Sequence, residues 1–290
     1  MTSRIPADPV PQPPCLPARW DALTSGEFAS LLGGQDGHRT VAVLPIAATE
    51  QHGPHLPVAV DAVINRGILG RAISRLDPGT PVLVLPEQSI GYSPEHDRFP
   101  GTLTLSSSAA LCIWTEIIAC VAATGIRRLL IFNSHGGQVP LARLLIREAR
   151  ARNGMLATAV SWPDFGTPRE LLDAGIIDEA ECRHGLHAGQ VETAMMMALA
   201  PDSVRMDLLA DFPSRARDMA ARYEWLEPEG AARIGWRAED LNAAGATGNA
   251  AKATAATGDI LLDHAATALA TLLSEMTDPA LTDQWLSPLT

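Results

Sequence analysis

Glu50, His52, His55 and Asp61 fall in one short stretch that reads Thr49-Glu50-Gln51-His52-Gly53-Pro54-His55-Leu56-Pro57 and runs on to Asp61. Glu50 and His52 are two apart, so in extended backbone their side chains leave on the same side and offer a carboxylate and an imidazole to one cation. Asp61 stands just before the helix-like residues 62–76, where a carboxylate either caps the helix or bridges two metals. Further on, His135 is followed by Gly136-Gly137, where the backbone turns sharply or approaches something closely. Five of the eight histidines (His52, His55, His96, His135 and His187) sit in segments punctuated by Gly and Pro, where core packing is not the usual reason for a histidine. Glu50, His52, Asp61 and His135 form a mixed nitrogen and oxygen donor set suited to Zn²⁺, Mn²⁺ or Fe²⁺. The chemistry such a set supports is metal-dependent hydrolysis. The ordinary roles of the same residues are a surface charge, an N-cap, turn residues and a helix start. Spacing alone does not decide, since there is no H-E-x-x-H or comparably tight signature.

The elements that must position these residues alternate. Thr24-x-x-Glu27 fits a capping box ahead of Phe28 to Leu32, and strand 41–47 follows. Then come helix 62–76, strand 81–86, helix 106–124 opened by Ser106, strand 127–132, helix 138–152 closed by Gly154 and strand 155–161. Apolar strands alternating with helices predict a mostly parallel sheet covered on both faces, with ligands at the carboxyl ends of the strands. The Glu50 stretch and Asn133-Ser134-His135-Gly136-Gly137 both occupy such ends. Residues 168–182 read as one or two short helices, 183–189 as a loop and 190–200 as a helix stopped by Pro201. Residues 211–255 read as a long loop or an oligomer-contacting excursion. A last helix over 259–276 takes Thr257 as its cap. Cys112 and Cys120 lie in the apolar helix 106–124 and read as small core residues.

Composition excludes several classes. The 290 residues carry a net charge of −11, which argues against a nucleic-acid partner. Lys252 is the only lysine and lies outside any Gly-x-x-x-x-Gly-Lys pattern, so a Walker loop is excluded and a Schiff-base lysine is not expected. Cys15, Cys112, Cys120 and Cys182 form no C-x-x-C pair and read as reduced thiols. Six prolines in the first twenty residues predict an extended arm over 1–18, followed by a single domain over 19–290. That arm has no apolar core like a signal peptide's, and no apolar run is long enough to span a bilayer, so no membrane partner and a cytoplasmic location are expected.

Glu50-Gln51-His52-Gly53-Pro54-His55-Leu56-Pro57, with Asp61 after it, resembles the opening motif of the creatininase (creatinine amidohydrolase) family. Three later segments agree in order: Glu95-His96 through Phe99-Pro100-Gly101-Thr102, Asn133-Ser134-His135-Gly136-Gly137, and His187-Ala188-Gly189-Gln190-Val191-Glu192-Thr193. Gly245-x-x-Gly248 and Gly258 give a weaker echo. The resemblance implies a three-layer α/β/α sandwich, usually a homohexamer, with a two-metal centre that hydrolyses C–N bonds of small amides. Carried over, Glu50 and His135 bind one divalent metal, His52 the other, and Asp61 bridges both, with a hydroxide between them as nucleophile. His187 matches the histidine near the substrate carbonyl, where it polarises the carbonyl or passes a proton to the leaving nitrogen. Glu192, in an apolar helix where an unpaired carboxylate is costly, contacts the metals or takes protons. His96 and Phe99 to Thr102 line the substrate entrance with Ser93 nearby, and Trp162, Trp225 and Trp236 are candidates for a pocket wall.

One position departs from the family pattern. Creatininase proper carries a glutamate at the position of Gly137 as a second-metal ligand, and the Gly-Gly form is shared with formamide deformylases and the mycofactocin precursor peptidase. The second site then rests on His52, Asp61 and Glu192, and creatinine itself is not the expected substrate. The expected activity is hydrolysis of a small amide, lactam or formamide. A peptidase, or a binding protein with a degraded second site, stands as the alternative.

Overall fold

The structure is a computed structural model that describes residues 19–34, 37–281 and 285–286. The Pro-rich arm expected over 1–18, and Cys15 within it, lie outside the described residues. Strands β1 (Val41–Ile46), β2 (Val82–Val84), β3 (Arg128–Asn133) and β4 (Leu156–Ser161) form one sheet in the order β2-β1-β3-β4, with every pair parallel. Its central strands β1 and β3 are buried along their whole length, which is why they read as unbroken apolar runs. Their side chains alternate between two cores. Val41, Val43, Leu130 and Phe132 face one layer, and Ala42, Leu44, Leu129 and Ile131 face the other.

The first layer is α2 (Val60–Ile73), α7 (Gln190–Leu199) and α10 (Ala255–Met276). The second is α1 (Ser25–Gly33), α3 (Ser107–Ala123) and α4 (Val139–Asn153). The predicted α/β/α sandwich with a mostly parallel central sheet is therefore the observed architecture. From β1 the chain steps outward to β2 and then returns past β1 to β3, so the strand order reverses between β1 and β3. Open parallel sheets form a ligand crevice at this switch point, beyond the carboxyl ends of the strands. Asn65 of α2 is fully buried there, and its amide donates to the carbonyls of Ile46 (3.3 Å) and Phe132 (3.1 Å), tying the ends of β1 and β3 together.

Several local expectations are corrected. Helix α2 begins at Val60 with Ala59 as its N-cap residue, so Asp61 lies inside the first turn and caps nothing. The last helix begins at Ala255, and its cap is Thr254, whose hydroxyl accepts from the Thr257 N–H at 3.1 Å. Cys112 and Cys120 are exposed on α3. Residues 168–184 hold α5 (Arg169–Asp173) and α6 (Glu179–His184). The stretch 211–255 is more ordered than a long loop. It contains β5 (Asp211–Phe212), α8 (Ala216–Arg222), β6 (Leu226–Glu227), β7 (Ala232–Arg233), α9 (Ala238–Leu241) and β8 (Gly248–Asn249), with β5 pairing antiparallel to β8. Elements this short repeat too few times to give a readable period. Among the described residues no helix is long and apolar enough to cross a membrane.

Helices α7 and α10 meet at Gly258, where an added Cβ would stand 1.9 Å from the Ala194 carbonyl oxygen. Backbone cannot yield as a side-chain tip can, so Gly258→Ala must push α10 off the helix that carries Glu192. The expected cost is about 1–3 kcal/mol in denaturant unfolding. An unchanged midpoint would contradict this packing.

Candidate metal centre

Four segments converge at the switch point. The β1 end supplies Glu50, Gln51 and His52, α2 supplies Asp61, the β3 end supplies His135, and the run into α7 supplies His187 and Glu192. Glu50 and His52 are fully buried, and Asp61, His135, His96 and His187 nearly so. Local bonds explain the placement. The Glu50 N–H donates to the Val58 carbonyl (3.0 Å) and the Gln51 N–H to the Thr102 hydroxyl (3.1 Å), which joins the first motif to the Phe99-Pro100-Gly101-Thr102 segment. Asn133 accepts from the His135 N–H (3.1 Å) and donates to the His135 carbonyl (2.7 Å), clamping the turn that carries the imidazole.

Asp61 sits between two groups. Its Oδ2 lies 3.6 Å from His135 Nδ1, which is itself 3.1 Å from Glu50 Oε1. Its Oδ1 lies 3.5 Å from His52 Nε2, which is 3.9 Å from Glu192 Oε2. Glu50, Asp61 and His135 thus form one set of possible ligands, and His52, Asp61 and Glu192 a second, each with donor atoms mutually within 4.8 Å. Glu50, His52 and His187 form a further such group.

In His52 and His187 the ring nitrogen aimed inward is left free by a partner behind the ring. His52 Nδ1 donates to the Glu50 carbonyl (3.0 Å), leaving the Nε2 lone pair toward Asp61 and Glu192. His187 Nε2 donates to the Gln51 carbonyl (2.7 Å), leaving Nδ1 3.8 Å from Glu50 Oε1. The Gln51 amide donates to His96 Nδ1 (2.8 Å) and to the Gly245 carbonyl (2.8 Å), so His96 carries its hydrogen on Nε2, 3.5 Å from Glu50 Oε1.

Both oxygens of Glu50, His52 Nε2 and Asp61 Oδ2 are buried without a hydrogen-bond partner. Buried polar atoms are ordinarily paired, and four orphans within one cluster of donor atoms fit a cation there. The electrostatics agree. Burial raises Asp61 and Glu192 to about 7 and also raises Glu50. Burial alone would lower His135, but the carboxylates of Glu50, Glu95 and Asp61 outweigh it and hold the ring well above 6.5. Burial, then the neighbouring His52, keeps His187 well below 6.5. A cluster of carboxylates this deep stays ionised only with compensating positive charge.

Not every candidate joins the cluster. His55 turns away, bonding the Thr193 hydroxyl through Nε2 (2.9 Å) and stacking on Phe212. Burial pushes it down to about 4, as befits a neutral packing histidine. Trp162 packs against the layer of α2, α7 and α10, and Ser93 is fully buried with its hydroxyl unpartnered. The His96 ring stacks on His187 at 4.2 Å between centroids and meets the edge of Trp236 at 6.5 Å. Sequence reasoning passed over Gln51 and Glu95, though both lie inside the quoted motifs. Their position directly beside Glu50 and His96 was the available signal.

A sequence profile of the creatininase family, described as creatinine amidohydrolase, matches residues 21–273. The mycofactocin precursor peptide peptidase of Mycolicibacterium smegmatis is 32% identical over 171 residues, 58% of this chain and 61% of that protein. The chain thus spans about six tenths of the length of these peptidase relatives. The creatinine amidohydrolase of Pseudomonas putida is 28% identical over 206 residues, 66% of this chain and 75% of that protein. A mutant creatininase complexed with creatine superposes with a TM-score of 0.71 at 24% identity, covering 90% of this chain and 99% of that one, a likeness of fold.

Two measurements follow from the geometry. His135→Ala removes a donor only from the set with Glu50 and Asp61, so metal uptake falls from about two equivalents per chain to about one. Unchanged occupancy would refute the grouping. Asp61 and Glu192, raised to about 7, hold protons below that pH that a cation must displace. Apparent affinity in a chelator competition therefore rises from pH 6 to pH 8, by roughly 10- to 100-fold for one or two protons released. A flat profile would contradict the shared carboxylates.

Proposed function

The chain belongs to the creatininase family, and from that premise we propose that it is a metal-dependent amidohydrolase cleaving the C–N bond of a small amide, lactam or formamide. The observation that carries the reading is Asp61, with one oxygen toward His135 and the other toward His52. Glu50, Asp61 and His135 would hold one divalent cation and His52, Asp61 and Glu192 the other, a donor set that suits Zn²⁺, Mn²⁺ or Fe²⁺. When bound, such cations polarise a carbonyl and lower the pKa of water.

The chain's own groups supply the rest. His187 keeps its hydrogen on Nε2, against the Gln51 carbonyl, so Nδ1 is the acceptor on the side of Glu50. Burial, then the neighbouring His52, holds the ring neutral near pH 7, which leaves Nδ1 unprotonated at the position from which a proton would be relayed to the leaving nitrogen. Glu192, fixed by the Ala188 N–H at 2.6 Å, keeps its carboxylate turned to His52. The stacked His96 and His187 rings, edged by Trp236, offer a flat wall that suits a planar acyl or lactam group.

Release of a short C-terminal fragment from a modified peptide is the second reading, supported by the higher identity to the peptidase relatives. We further propose that the chain assembles as a homo-oligomer of the hexameric kind. Leu103, Met206 and Trp225 are exposed apolar side chains that such an assembly would cover.

The metal-loaded chain is to be assayed against creatinine, other lactams, formamides and short peptides. Hydrolysis of a small amide supports the first reading and cleavage of peptides alone the second. Binding of both metals with no turnover of any amide would identify a binding protein instead. His187→Ala is expected to lower kcat about 10²–10⁴-fold while metal content holds. Loss of metal instead would make His187 a ligand.

A further inference from the structure

Position 137 has no room for a side chain. A Cβ there would stand 1.9 Å from Glu95 Oε1 and 2.6 Å from His135 Nε2. The space is taken by a carboxylate from another part of the chain, since Glu95 comes from the short turn Pro94–His96 that faces the end of β3. Its Oε1 lies 3.1 Å from His135 Nε2, and the Tyr92 carbonyl from the same segment lies 3.1 Å from that nitrogen too. The Tyr92 carbonyl accepts from that nitrogen and fixes the hydrogen of a neutral imidazole at Nε2, with the Glu95 carboxylate set against the same edge of the ring. The lone pair is then on Nδ1, which faces Glu50 Oε1 and Asp61 Oδ2. Glu95 itself belongs to none of the sets of donor atoms close enough to share a cation.

We propose that Glu95 is the positioning residue of the first cation site: admitted by the missing side chain at Gly137, it holds His135 by Nε2–H and aims Nδ1 between Glu50 and Asp61. The inference rests on the metal-centre reading above. Glu95 and Gly137 act as one unit, because the acceptor stays in place only while residue 137 has no Cβ. What looks from the sequence like a lost ligand position is the space through which a carboxylate from a different loop reaches the back of the histidine. Carboxylates placed behind metal-binding histidines orient the ring and raise its basicity.

The test is stepwise metal affinity of the full chain, measured with Zn²⁺ by chelator competition, alongside melting of the metal-free protein. Glu95→Ala is expected to weaken the first site about 10- to 100-fold, the usual effect of removing such a partner, while the second site and the metal-free melting temperature hold. Glu95→Gln keeps an acceptor oxygen and binds more tightly than Glu95→Ala. Gly137→Ala reproduces the loss with Glu95 still present. Parent-like affinity in Glu95→Ala would overturn the proposal, as would equal loss at both sites together with a lower metal-free melting temperature. A parent chain that takes up no metal overturns both this inference and the proposed function. A parent that binds while Glu95→Ala binds equally overturns this inference alone.

Discussion

Asp61 lies at the end of a parallel sheet, out of reach of bulk water, with an imidazole at each oxygen and two further carboxylates within a few ångströms. Taking carboxylates out of water costs several kcal/mol each unless charge or hydrogen bonds compensate. Here hydrogen bonds do not, because both oxygens of Glu50 and one of Asp61 have none. The remaining compensation is a proton or a cation. Protons hold these groups in the absence of metal, as the raised values of Asp61 and Glu192 express. The architecture around Asp61 serves to keep that cluster assembled against its own repulsion.

The sheet order makes the crevice, and a ring of amides makes it rigid. Asn65 ties β1 to β3, Asn133 clamps the His135 turn, and Gln51 links the first motif to His96 and to the Gly245 segment. The Thr247 N–H donates to the His187 carbonyl at 2.7 Å, so the stretch after α9 closes over the site although its own secondary structure is slight. None of these side chains belongs to the proposed ligand sets, yet together they hold the segments that carry the ligands.

The large elements were legible because buried parallel strands leave an unmistakable apolar signature and the helices between them are long. The gathering of Glu50, His52, Asp61 and His135 was legible for a related reason: residues placed just beyond the ends of adjacent parallel strands must meet. What the residues could not show was which nitrogen of each ring points inward, since that depends on a carbonyl or carboxylate distant in sequence, as at His135. From the residues alone Asp61 is either cap or bridge, because a shift of one or two residues in the helix start decides between them, and the start lies two residues before the expected one, at Val60. The last helix moved its cap from Thr257 to Thr254 for the same reason: three threonine and alanine steps offer nearly equivalent starts. Residues 211–255 were opaque because two-residue strands are held by partners, not by pattern.

The most direct test is anomalous diffraction from crystals of the full chain grown with Zn²⁺. Two peaks flanking the Asp61 carboxylate, one beside His135 and Glu50 and one beside His52 and Glu192, are the expected result. Density for zinc elsewhere, with Asp61 bonded only to protein or water, would contradict the view that this carboxylate was buried to join two cations.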